Sequence, residues 1–124
     1  MKHKLSKTIF EGDHSLFCAL TMNHHPVHTN EHYARGEKHG KILVAGTYVF
    51  SLVVGLSVLD VSFDCVAALD YENMQHTAPV FVGDTIYAES AIISQKGKIR
   101  CIETNGRNQN DECVIHFRRH ILMK

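Results

Sequence analysis

Ile42-Leu43-Val44-Ala45-Gly46-Thr47-Tyr48-Val49-Phe50-Ser51-Leu52-Val53-Val54-Gly55-Leu56-Ser57-Val58-Leu59 decides the fold, because it carries no charged residue from end to end. A run this apolar either crosses a bilayer or lies at the centre of a protein core. Its length is at the lower edge for a span, and Gly46, Thr47, Ser51, Gly55 and Ser57 dilute its apolar character. If it left for a membrane, the half-polar remainder of the chain would lose its one large apolar partner. The reading is therefore a buried helix, since the run is too long for a typical strand. Its valines lower helix propensity only slightly. Thr47, Ser51 and Gly55 recur at four-residue spacing and line one stripe, where a sheet or a partner backbone can approach closely. Val49, Leu52, Val53 and Leu56 cover another face with bulky groups.

Upstream, Asp13 to Ala19 reads as a short helix with Asp13 as its N-cap. Pro26 is expected to break regular structure. Asn30 to Arg35 reads as a second short helix, capped by Asn30 and ended by Gly36, with loop from Gly36 to Lys41. Downstream the pattern changes to strands: Val66 to His76, Thr85 to Gln95, Lys98 to Asn108 and Glu112 to Met123. Pro79 to Asp84 is a turn-containing connection, and Gly97 and Asn108-Gln109-Asn110-Asp111 mark turns. The last strand alternates, with Val114, His116, Arg118 and His120 on one face and Cys113, Ile115, Phe117 and Arg119 on the other. A further short strand is expected near Ile9-Phe10. An amphipathic antiparallel sheet wrapped around one long central helix satisfies burial in two layers. That is an α+β hot-dog fold, one domain over residues 1–124. A single such sheet leaves an exposed edge, so a homodimer, or a higher homo-oligomer, is expected.

The totals narrow the partners. Among 124 residues, Lys plus Arg and Asp plus Glu are 13 each, so the formal charge is zero. Nucleic acid and acidic membrane surfaces call for a basic field that this chain lacks. The ten histidines make its charge sensitive to mild acid. Cys18, Cys65, Cys101 and Cys113 form no CxxC pair, so no metal site is expected, and Cys65, Cys101 and Cys113, in mostly apolar stretches, read as small core residues of a reducing, cytoplasmic compartment. Met1-Lys2-His3-Lys4-Leu5 runs directly into polar residues without an apolar signal core.

The chemistry concentrates around Leu20-Thr21-Met22-Asn23-His24-His25-Pro26-Val27-His28-Thr29-Asn30, followed by Tyr33-Ala34. This run resembles the hydratase signature of the MaoC-like family of (R)-specific enoyl-CoA hydratases and dehydratases. The resemblance continues in order through Ile42 to Gly46, Ser51 to Leu56, Ala68-Leu69-Asp70-Tyr71-Glu72 and Pro79-Val80-Phe81-Val82-Gly83-Asp84-Thr85. It implies an acyl-CoA substrate, with CoA carried as part of the substrate and no separate cofactor. The family's catalytic pair is an Asp and a His five residues later; here the His position is His28 and the Asp position is Asn23. An amide cannot take a proton from water near neutral pH and can only orient it. The phrase around Asn23 is similar to the mesaconyl-CoA hydratase-like branch, which also carries an Asn. The resemblance further implies that the Gly46 N–H, at a helix N-terminus, holds the thioester carbonyl as it becomes enolate-like. Ala45, where many relatives carry His, and His25 are the remaining candidate substrate contacts.

Two other readings stand beside hydration. A hot-dog thioesterase would direct water at the thioester carbon, but usually places a carboxylate near the central helix, and Ile42 to Leu59 offers none. A non-catalytic acyl-CoA-binding module would explain why Asn23 replaces an aspartate. Arg118, Arg119 and Lys98 read as solvated strand residues, and Asp84 as part of a turn.

Overall fold

The computed structural model describes residues 1–124. The apolar run folds as expected in its middle. Gly46–Ser57 is a helix, α4, and it continues into a π-helical turn over Val58–Ser62. Ile42 to Ala45 lies outside the helix, and Leu43 forms a bridge with Phe81 while Val44 N–H donates to the Val80 carbonyl at 2.9 Å. No helix is long and apolar enough to cross a membrane.

Three small helices precede α4. The first, α1, spans Glu11–Leu20. Its N-cap is Phe10 and not Asp13 as expected; Asp13 sits one turn inside and accepts the Phe10 N–H at 3.2 Å. A carboxylate in the first turn complements the helix dipole, and Lys7 pairs with it at 2.8 Å. The second, α2, spans Pro26–Thr29, so Pro26 starts a helical turn where it was expected only to break structure. Proline suits the first helical position because its missing N–H would have no intrahelical partner. The third, α3, spans Glu31–Arg35; Asn30 caps it by accepting the Tyr33 N–H at 2.9 Å, and Gly36 ends it.

Five antiparallel strands follow the order β1-β3-β4-β5-β2, with β1 at Lys2–Thr8, β2 at Cys65–His76, β3 at Thr85–Lys96, β4 at Ile99–Arg107 and β5 at Cys113–Met123. The four downstream strands match expectation within one or two residues. The first strand does not: it lies over Lys2–Thr8, ahead of Ile9-Phe10. Its sequence is too polar to signal a strand by alternation. It is held by pairing with β3 and by buried His3, which bonds to Asp60 and to Ser90, each at 2.7 Å.

Val49, Val53 and Leu56 of α4 pack on Ile86, Ala88, Ile115 and Phe117 of the sheet. The helix packs tightly over Gly106 of β4, where an added Cβ would lie 2.7 Å from Val53 Cγ2 and 2.8 Å from Ile115 Cγ2. The small residue that permits close approach is thus on the sheet. Thr47, Ser51 and Gly55 are exposed and point away from it. Arg119 departs from the expected solvated placement. It is 3% exposed on the inner face of β5, and its guanidinium donates to Ser57 Oγ at 2.9 Å. Arg118 is on the other face, paired with Glu103 at 3.3 Å.

Candidate active site

The site is built on two backbone segments, Pro26–Thr29 and Ile42–Gly46. Helix α2 presents His28, whose Nδ1–H donates to the Leu43 carbonyl at 2.6 Å. A carbonyl only accepts, so this bond places the proton on Nδ1 and leaves Nε2 as a bare lone pair. His28 lines a cavity of about 310 Å³ together with His14, Ser15, Lys41 and Phe81. The Lys41 ammonium lies 4.1 Å from the centre of the Phe81 ring in that wall, a cation–π contact.

His25 has a local task. Its Nδ1 accepts the Val27 N–H at 3.1 Å and so caps α2. Asn23 is half-buried; its N–H donates to the Cys18 carbonyl at 3.0 Å, and its residue does not line the His28 cavity. Ala45 is 1% exposed, and its N–H is already engaged, donating to His14 Nε2 at 2.9 Å. Gly46, the first residue of α4, opens on a different cavity with Leu43, Val49 and His76. An added Cβ there would meet His76 Nε2 at 2.9 Å, so the absence of a side chain is what lets that imidazole lie against the helix start. The structure therefore joins His28 to the strand leading into Gly46 through the Leu43 carbonyl, but the two residues face separate cavities of the single chain.

His14 and His76 were not among the residues singled out from the sequence. Neither sits in a motif; His14 is nine residues before Asn23 on a short helix, and His76 ends a strand. His14 is 2% exposed. Burial holds its imidazole below the ordinary histidine value, and the neighbouring His28 acts in the same direction. Their rings meet edge to face with centroids 5.9 Å apart. Cys18 lies one turn along α1, its Sγ 3.5 Å from His14 Nε2, and burial pushes its thiol up, keeping it protonated.

A five-stranded antiparallel sheet curled around one apolar helix, with a histidine-bearing segment laid over the helix entry, defines a hot-dog domain. The chain belongs to the MaoC-like domain family, whose pattern matches residues 1–113. It is 30% identical to a mesaconyl-CoA hydratase of Cereibacter sphaeroides over 98% of this chain and 37% of that protein. It is 27% identical to a β-methylmalyl-CoA dehydratase of Chloroflexus aurantiacus over 98% of this chain and 36% of that protein. The chain thus spans little more than a third of the length of these curated relatives. A solved MaoC domain protein dehydratase from Chloroflexus aurantiacus superposes with a TM-score of 0.92 at 26% identity, covering all of this chain and 37% of that one.

Proposed function

We propose that this domain adds water to an enoyl-CoA or removes it from a 3-hydroxyacyl-CoA. The observation that carries the reading is the bond from His28 Nδ1–H to the Leu43 carbonyl, which leaves Nε2 free as a base at a cavity wall. The named activities of the two curated relatives point the same way.

In the hydration direction, His28 Nε2 takes a proton from water as the water oxygen bonds to the β-carbon. The π electrons move toward the thioester, and its oxygen gains negative charge. Gly46, at the N-terminus of α4, has a backbone N–H with no protein partner for that oxygen; because it faces a cavity separate from that of His28, this contact requires the acyl thioester to reach from one cavity to the other. His28 then returns the proton to the α-carbon, so one water is added and the enzyme is unchanged. Asn23 cannot share the proton transfer, because an amide is not a base near neutral pH. Dehydration is the same sequence reversed.

The active form in this reading is a homodimer. Strand β2 ends the sheet and exposes Val66, Leu69, Tyr71 and Met74, an apolar edge that a second copy can cover. A monomeric sedimentation coefficient at micromolar concentration would refute this part.

The deciding experiment incubates purified protein with crotonyl-CoA and mesaconyl-CoA and follows enoyl absorbance and free thiol. Loss of absorbance without thiol supports hydration. Thiol release would replace it with a thioesterase, and binding with neither change would leave an acyl-CoA-binding module.

A further inference from the structure

The family resemblance pairs an aspartate with the histidine on the reacting water, and this chain has an amide at that position, Asn23, outside the wall of the His28 cavity. We propose that His14 takes that place: its Nδ1–H donates a hydrogen bond to the β-oxygen, the attacking water in hydration and the departing hydroxyl in dehydration. This rests on the hydratase reading above and adds a residue to it.

His14 Nε2 accepts the Ala45 N–H at 2.9 Å and faces the Cys18 thiol at 3.5 Å. Both neighbours are donors, so Nε2 is bare and the single proton of the neutral ring is on Nδ1. No protein group accepts from that Nδ1–H. It is also not sealed away, since the only buried side-chain nitrogens without a partner belong to Arg118 and Arg119. His14 lines the same cavity as His28, so the remaining direction for Nδ1–H is into that cavity. His28 is the complement: its proton is committed to the Leu43 carbonyl, and a lone pair remains.

The backbone between Leu43 and Ala45 thus prepares the two imidazoles for different tasks. Its carbonyl draws the proton of one ring away from the cavity, and its N–H turns the proton of the other toward it. A water between them would donate to His28 Nε2 and accept from His14 Nδ1–H, each in its ordinary direction. That polarisation aligns a water lone pair for attack on the β-carbon and leaves proton transfer to His28. In reverse, the His14 N–H stabilises the hydroxyl as its bond to carbon breaks. His14 performs this with no change in its own protonation, so no proton or electron is left unbalanced.

The groups facing His14 are compatible with a neutral ring. Cys18 and Glu11 come from its own helix, His28 from α2 and Tyr48 from α4, with Lys41 farther along the cavity. The ring is buried beside another histidine, and protonating Nε2 would set two donors against each other at Ala45.

The test has a spectroscopic and a kinetic arm. Long-range ¹H–¹⁵N spectra at pH 7.5 are expected to show the proton of His14 on Nδ1, with Nε2 unprotonated. A proton on Nε2, or a doubly protonated ring, would overturn the proposal whatever the activity. Kinetically, His14→Leu should lower kcat by about 10²-fold, the loss seen when one well-placed donor to a reacting oxygen is removed. KM should hold, while the urea midpoint falls because the buried Ala45 N–H loses its acceptor. His14→Gln, whose amide can accept from Ala45 and donate into the cavity, should recover most of the rate. A folded His14→Leu that keeps wild-type kcat beside an active wild type removes His14 alone. A wild type that hydrates no enoyl-CoA removes the hydratase reading and this role together. If His14→Leu does not fold, the tautomer and the rate of His14→Gln decide, a drop of the latter by 10²-fold or more counting against the proposal.

Discussion

The sharpest probe of the proposed base is His28→Asn compared with His28→Ala. The asparagine amide N–H can take over the donation to the Leu43 carbonyl, which His28 now makes at 2.6 Å, while supplying no lone pair where Nε2 stood. The alanine variant removes both. The hydrogen bond should contribute about 1 kcal/mol net, so His28→Ala should lower unfolding free energy by that order and His28→Asn by less than half of it. Proton transfer by a placed side chain accelerates a step by about 10²–10⁴-fold, equivalent to roughly 3–5 kcal/mol of barrier. Both variants should lose enoyl-CoA hydration by that factor, but alanine should lose more than twice the stability that asparagine does. Urea unfolding by circular dichroism and enoyl absorbance give the two numbers separately. The reasoning fails if His28→Asn keeps more than a tenth of wild-type kcat/KM. It also fails if alanine and asparagine are equally stable, since the Leu43 bond would then contribute nothing.

Three further outcomes are open to measurement. Gly106→Ala should destabilise by roughly 1–3 kcal/mol in urea unfolding, because its Cβ would meet Val53 Cγ2 at 2.7 Å and Ile115 Cγ2 at 2.8 Å, both fully buried and β-branched; adding Val53→Ala should relieve part of that cost, and simple additivity of the two changes would contradict it. Asn23→Asp should leave the hydration rate within about tenfold of wild type if His14 already serves the water, whereas a gain approaching a general base's full 10²–10⁴-fold would make Asn23 the weak point of the site. The depressed His14 value makes the unfolded chain bind more protons than the folded one as pH falls below 6.5; this contribution to stability should therefore be complete above pH 6.5 and decline as pH falls from there toward the folded-state value, and His14→Gln should flatten that decline.

Most of the scaffold was legible in the chain because its signals are local. An uncharged run longer than any strand can only be a buried helix once the membrane is set aside, and period-two alternation marked Thr85 to Met123 as a meander. Local chemistry also placed the Asn30 cap and the Gly97 turn. The first strand was missed because Lys2–Thr8 carries almost no apolar alternation and is held by pairing with β3 and the buried His3. The Asp13 cap was displaced because a carboxylate one turn inside a helix can reach back to the N–H before it, a choice that sequence spacing does not distinguish. Arg119 shares the alternation of a core face, yet an arginine reads as solvated until Ser57 and the π-helical turn are seen to cover it.

At the site, sequence by itself determined which residue type carries the lone pair: a histidine after Pro26 in a run matching one family, with an amide where a carboxylate is usual. The family resemblance implied that Gly46 opens the helix, and the structure places the helix start there, after a non-helical Ile42 to Ala45. Tertiary structure alone decided the protonation pattern. Which nitrogen of His28 is free depends on the Leu43 carbonyl, and which nitrogen of His14 carries its proton depends on the Ala45 N–H and the Cys18 thiol. The two backbone partners lie 15 and 31 residues away, brought together only when α1 and α2 lie over the entry to α4. Hydrogen bonds across such separations leave no periodicity, so a histidine on a short helix reads as one of ten until the fold gives it a neighbour.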